Sequence, residues 1–204
     1  NLMQDPMLRL ETPHRFSENS PLIKLSMLAR LEGKIPFGEF SDKVKKLPKS
    51  EISNGNGDIS NFVKSKSLLN GSAVIVCGFN KTRIGLNAKI RDHNEFTEHT
   101  PMIGDRVICL KNNKRSNVPL YNGAHGTIRH ITKNPHLDYA RSVIEMDGVN
   151  EDMFRGKMLY GAFAKEKFNS YETNPGKEVF DYGYAITAHK SQGSEFEKVM
   201  VIEE

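Results

Sequence analysis

The sequence predicts a mixed α/β protein in which a parallel-sheet domain carries a β-rich insertion, and three observations predict it. Ala73–Phe79 is a short, uninterrupted apolar run followed at once by a helical pattern, the strand-then-helix unit of α/β folds. After Glu98 the helical signal fades, and short strand-like runs alternate with Asn- and Gly-containing turns. From Val179 an apolar and aromatic run returns and delivers Thr187, His189, Lys190, Gln192 and Glu195 onto a polar turn, ahead of a second strand-like run at Val199–Ile202.

Each element has a local reason. Ser20-Pro21 reads as N-cap and first helical position, where the missing N–H of proline costs nothing. Leu22, Leu25, Leu28 and Ala29 follow at helical spacing, and Gly33 ends that helix. From Ser41 to Gly71 the chain is rich in Lys, Ser, Asn and Gly. It reads as a surface excursion with a turn at Asn54–Gly57 and one short helix, Ile59–Leu69. Asn80 is placed to cap the helix after the apolar run, with Lys81, Arg83 and Asn87 along its start, where orphan N–H groups favour anions.

In the β-rich part, Arg106–Leu110, Gly126–Ile131 and Ser142–Met146 are the expected strands, with Met158–Phe163 as a fourth. Turns are expected at Asn112-Asn113, Asn122-Gly123 and Asp147-Gly148. At the end of the chain, the carboxyl end of an α/β strand is where ligands bind, and the side chains offered there suit phosphate oxygens and sugar hydroxyls. Gly193 allows a tight turn or close approach.

Composition excludes several classes. With 37% apolar and 26% charged residues the chain suits a globular protein rather than a disordered one. No apolar stretch approaches the roughly 20 residues that span a bilayer, so no membrane partner is expected. Cys77 and Cys109 both lie in apolar runs, where a thiol acts as a small hydrophobe; this fits a reducing, cytoplasmic setting without a disulfide framework. His125, His130 and His136 lack the Cys pairs or helical spacing of a zinc site, so no metal is assigned to them. The net charge is +4, yet from Asn80 to Lys133 ten basic residues face four acidic ones. More than the whole surplus sits in about a quarter of the chain, as expected of a surface that meets a polyanion.

These residues also carry a resemblance. Thr187-x-His189-Lys190-x-Gln192-Gly193-x-Glu195-Phe196 resembles motif V of superfamily 1 DNA helicases, most closely the RecD-like branch with its Dda-type phage members. Leu10–Phe16 is similar to motif IV, and the strand and helix around Asn80 and Arg83 are similar to the family's. Gly104–Asn113 with Asn122–Ile128 resembles the lead into that branch's small insertion. The resemblance implies a RecA-like (P-loop NTPase-type) second motor domain with an SH3-like all-β insertion. Residues 1–97 and 179–204 would form the motor domain, and residues 98–178 the insertion.

The resemblance assigns roles residue by residue. Arg15 would contact the γ-phosphate of ATP. Gln192, Gly193 and Glu195 would bind nucleotide, with Glu195 near the ribose. Thr187, His189, Lys190, Asn80, Lys81 and Arg83 would contact DNA. His14 stands where many relatives have an aromatic residue, which removes the basis for base stacking there.

No Gly-x-x-x-x-Gly-Lys-[Ser/Thr] occurs, and no Asp-Glu pair follows an apolar strand to hold magnesium. ATP and Mg2+ are therefore expected to depend on an N-terminal RecA-like domain outside these 204 residues. The chain starts at Asn1, and motif VI is expected just past Glu204, so the sequence is read as part of a longer bacterial or phage helicase. That enzyme would move 5′ to 3′ on single-stranded DNA, alone or with recombination or replication subunits. Two alternatives stay open: a non-enzymatic single-stranded nucleic-acid-binding module, and the helicase domain of a relaxase.

Overall fold

The computed structural model describes residues 20–48, 58–149, 152–167 and 176–204. Arg15, the stretch 10–16 around it and the Asn54–Gly57 turn lie outside the described residues. The chain divides into two compact units, residues 1–59 and 60–204.

In the first unit, helix α1 (Pro21–Glu32) begins after Ser20 in extended conformation, with proline in its first turn. It ends at Gly33, whose φ of 69° is left-handed and whose N–H binds the carbonyl of Ala29. A two-stranded antiparallel hairpin follows, β1 (Gly38–Ser41) and β2 (Val44–Lys46). The hairpin enters the stretch from Ser41 that reads in sequence as an irregular excursion, because strands of four and three residues are too short to show alternation.

The second unit is a mixed α/β structure dominated by sheet. Where one helix was expected over Ile59–Leu69, two short ones form, α2 (Asp58–Val63) and α3 (Lys66–Asn70). Ser65 interrupts them because its hydroxyl accepts the N–H of Ser67 and caps the second. Strand β3 (Ala73–Cys77) is buried at every position, as its apolar run requires. Helix α4 (Asn80–His93) follows directly. Asn80 is its first residue rather than its cap; the Asn80 Oδ1 accepts from Arg83 Nε at 3.1 Å instead.

β3 is the centre of a three-stranded parallel sheet, flanked by β10 (Ala185–Thr187) and β11 (Lys198–Val201). Between α4 and β10 the chain builds a six-stranded sheet from β4 (Arg106–Cys109), β5 (His125–Thr132), β6 (Tyr139–Met146), β7 (Met153–Leu159), β8 (Lys177–Glu178) and β9 (Phe180–Tyr182). The order is β8-β7-β6-β5-β4-β9, antiparallel except for β7 with β8. The fourth strand starts at Met153, five residues before the expected Met158, and a short 3-10 helix (Tyr160–Ala162) takes over where it was expected to continue. Phe180–Tyr182, read from the sequence as part of the run feeding the polar turn, pairs with β4 in the six-stranded sheet. The passage to the parallel sheet comes only at Ala185.

One core joins the two sheets. Ile75 and Ala185 from the parallel sheet pack in the same cluster as Val107, Ile128, Ile144, Phe154 and Phe180 from the larger one. A buried polar network fastens the crossing. Arg91 of α4 makes a forked pair with Asp105, at 2.9 and 3.1 Å. Asp105 also accepts from the Tyr184 hydroxyl at 2.9 Å, and that hydroxyl in turn accepts the N–H of Arg106. Gly183, between β9 and β10, is a glycine for space: an added Cβ would lie 3.1 Å from the Val107 carbonyl oxygen.

Candidate nucleic-acid interface

The carboxyl ends of β3 and β10 lie side by side, with Cys77 in register with Thr187. The two connections leaving them, into α4 and into the short helix α5 (Ala188–Ser191), therefore start from the same ledge. A cleft of about 750 Å³ opens there, lined by Asn80 and Arg83 from one connection and Thr187, His189 and Lys190 from the other. Its far wall comes from the six-stranded sheet and its loops, including Leu110, Lys165, Lys167 and Asp181. Five of the ten sequence-predicted site residues thus share one cleft. Lys81 is exposed on the first turn of α4. Gln192, Gly193 and Glu195 form the exposed turn after α5, outside the cleft lining.

The turn has its own local logic. Gly193 has φ of +85° with open space around it, so conformation rather than crowding calls for glycine. The Ser194 N–H closes the turn on the Ser191 carbonyl at 3.1 Å. Two contacts tie the segment to the β4–β5 connection and the start of β5. Lys190 Nζ donates to Asn122 Oδ1 at 2.7 Å, and the Phe196 ring meets the edge of His125 at 5.3 Å. Partial burial shifts the Lys190 ammonium below its ordinary pKa.

Arg83 occupies a different position from the other cleft residues. Its guanidinium turns inward, 8% exposed, and forms a buried ion pair with Asp181. Its second amino group donates to the Lys165 carbonyl at 2.6 Å. Asp181 accepts from the N–H of Ala164 and of Tyr182, at 3.0 and 2.8 Å. Burial raises the pKa of Asp181 above the usual carboxylate range, with the Arg83 charge opposing it. Together the pair fixes the 164–165 backbone, including Ala164 at φ +55°, a left-handed geometry costing an alanine about 1–2 kcal/mol. With Arg83 and Asp181 cancelling each other, Lys165, Lys167 and Lys190 outnumber the single carboxylate of Glu166 in the lining. The cleft therefore favours anions.

Two residues that position this site, Asp181 and Tyr184, carry no signal of their own in the sequence, because they sit in an aromatic run that reads only as strand. Asn87, expected with Lys81 and Arg83 at the anion-favouring start of the helix, has a different place. It is buried, donating to the Ala185 carbonyl and accepting the Ala185 N–H, both at 2.9 Å. Asn87 thereby completes the hydrogen bonding on the free edge of β10.

The two thiols are buried and unpaired with each other; burial pushes Cys77 up and Cys109 to about 11, so neither is a ready nucleophile. Among the described residues no cluster of three or more His, Cys, Asp and Glu is placed to hold a metal, and no helix is long and apolar enough to cross a membrane. No protein-family model matches the chain, and no curated protein shows significant similarity to it.

Proposed function

We propose that this chain is the second RecA-like motor domain, with its SH3-like insertion, of an ATP-dependent DNA helicase of the RecD-like group. The observation that carries the reading is the shared ledge. Thr187, His189 and Lys190, from the motif that resembles motif V, stand beside Asn80 at the ends of two adjacent parallel strands. That is the location where open α/β sheets bind ligands, and the surplus of lysines there suits a phosphate backbone.

In this reading Thr187, His189 and Lys190 grip the sugar-phosphate chain of single-stranded DNA. Gln192, Gly193 and Glu195, on the next turn, meet a nucleotide held mainly by a separate P-loop domain. Arg15 supplies charge to its γ-phosphate, as an arginine finger does. Closing on ATP and opening after hydrolysis would change the grip on DNA, because the DNA and nucleotide contacts are neighbours on one short segment. Arg83 serves differently from Asn80 and Lys81: it holds Asp181 and the 164–165 backbone, and so shapes the cleft wall rather than touching DNA.

The test uses the full-length protein that contains this chain. His189→Ala and Gln192→Ala should each depress DNA-stimulated ATP hydrolysis by tenfold or more with unchanged melting temperature. Full stimulation in both variants would remove the turn from the mechanism. Single-stranded DNA binding without any ATP hydrolysis by the full-length protein would instead favour the non-enzymatic binding module.

A further inference from the structure

A second basic surface lies on the larger sheet, away from the cleft. β9, which contributes Asp181 and Tyr182 to the cleft, is separated from β6 by β4 and β5. On β5, β6 and β7, a groove of about 350 Å³ is lined by His130, Arg141, Val143, Arg155 and Lys157. All four polar side chains are exposed. The register explains their grouping. Thr132, Arg141 and Lys157 form one cross-strand row, and His130, Val143 and Arg155 form the next on the same face.

This arrangement costs the isolated protein something. Arg141 and Lys157 are directly opposed cations, and like charges in that relation destabilise a sheet. Among the described residues no carboxylate pairs with Arg141, Arg155 or Lys157, whereas the nearby Arg129 and Lys177 are matched with Glu145 and Asp138. Lys157 only leans over the Tyr139 ring, 5.1 Å from its centre. Two guanidinium forks and an ammonium, spaced along rigid strands and without a carboxylate partner among the described residues, have the chemistry of a phosphate-chain site. The rows are two residues apart along the strands, roughly 6.7 Å, so the cations engage successive groups of an extended polyanion rather than a single ion. No Phe, Tyr or Trp is among the lining residues, and the charged side chains dominate, so the contact is mainly with backbone rather than by base stacking.

We propose that this face is a second nucleic-acid backbone site, which single-stranded DNA reaches after leaving the cleft. The inference rests on the DNA-binding reading above and extends it to a separate surface. It requires a strand that extends past the cleft: an oligonucleotide of about 4 nucleotides, the short end of single-site sizes, is held by the cleft, and one of about 16 nucleotides is long enough to run on to the second face.

The experiment is a fluorescence-anisotropy titration of oligothymidylates of these two lengths. It compares the wild-type chain with the triple variant Arg141→Ala, Arg155→Ala, Lys157→Ala. For the long oligonucleotide the variant should bind at least tenfold more weakly at low salt. Its slope of log K against log salt should be shallower by about 2, roughly 0.7 for each phosphate contact removed. The short oligonucleotide should bind both proteins alike, and the variant should melt no lower than wild type because a like-charge pair has gone. The single variant Arg155→Gln, which keeps a polar side chain on the strand but removes the charge, should show about one third of the slope change.

Unchanged affinity and slope for the long oligonucleotide overturn the proposal. They do so without touching the cleft reading if His189→Ala still weakens binding. A wild-type chain that binds neither length at low salt overturns both. Loss of polyglutamate binding with DNA binding intact would make the groove a site for acidic protein, and would also overturn it.

Discussion

The carboxamide of Asn87 holds both backbone groups of Ala185, 98 residues away, through two hydrogen bonds of 2.9 Å. This one side chain fixes the edge strand from which Thr187 and the polar turn are launched. Asn87→Leu leaves the N–H and C=O of Ala185 buried and unpaired, each costing about 1–3 kcal/mol. The expected loss is about 2–6 kcal/mol in a urea unfolding curve. A change below about 0.5 kcal/mol, the level of a neutral surface substitution, would show that the strand does not need this support.

Arg83 gives a second prediction, because removing one member of a buried ion pair strands the other. Arg83→Met should destabilise the chain by about 3–5 kcal/mol. The double variant Arg83→Met, Asp181→Leu should recover much of that loss. Thermal melts of the three proteins measure it. If the single and double variants are equally unstable, the pair is not the source.

His125 predicts a pH dependence. It is 6% exposed, neither ring nitrogen has a hydrogen-bond partner among the described residues, and burial, helped by the Arg106 charge, lowers its pKa from 6.5 to about 4. The unfolded chain therefore binds the proton more readily between these values. The stabilising effect is complete above about 6.5 and is lost as pH falls toward about 4, reaching roughly 3 kcal/mol at the bottom of that window. His125→Met should remove this part of the acid sensitivity. Parallel denaturation curves at both ends of the window check it, and an unaltered difference between the two pH values would exclude His125.

Much of the scaffold was legible in the sequence because its signals are local. Ser20-Pro21 and Gly33 mark both ends of α1, and the uninterrupted apolar residues of Ala73–Cys77 mark a fully buried strand. The polar segment after Thr187 follows a strand, as the apolar run before it suggests. What stayed hidden depends on partners distant in the chain. Arg83 reads as a surface cation until Asp181 is brought against it, and Asn87 reads as polar surface until β10 docks beside it. Phe180–Tyr182 and Ala185–Thr187 form one apolar run in sequence. Gly183 divides them between two sheets, and only the tertiary structure reveals the division.

The loop contact between Lys190 and Asn122 predicts communication between the turn and the larger sheet. Asn122→Ala removes the acceptor at 2.7 Å without removing a charge. It should weaken single-stranded DNA binding by about threefold, the effect of a lost hydrogen bond of about 0.5–1 kcal/mol, while stability stays within about 0.5 kcal/mol. Filter binding at fixed salt reads the first and a melt the second. DNA affinity equal to wild type would mean that Lys190 needs no positioning.

The central claim is that the ledge formed by β3 and β10 grips a nucleic-acid backbone. The most direct measurement is a titration of a short single-stranded oligonucleotide into the chain and into the variant His189→Ala, Lys190→Ala, between about 50 and 200 mM salt. The account predicts binding that falls linearly with log salt and a variant weakened by tenfold or more with its melting temperature preserved. Affinity that is flat with salt, or identical in the variant, would contradict it.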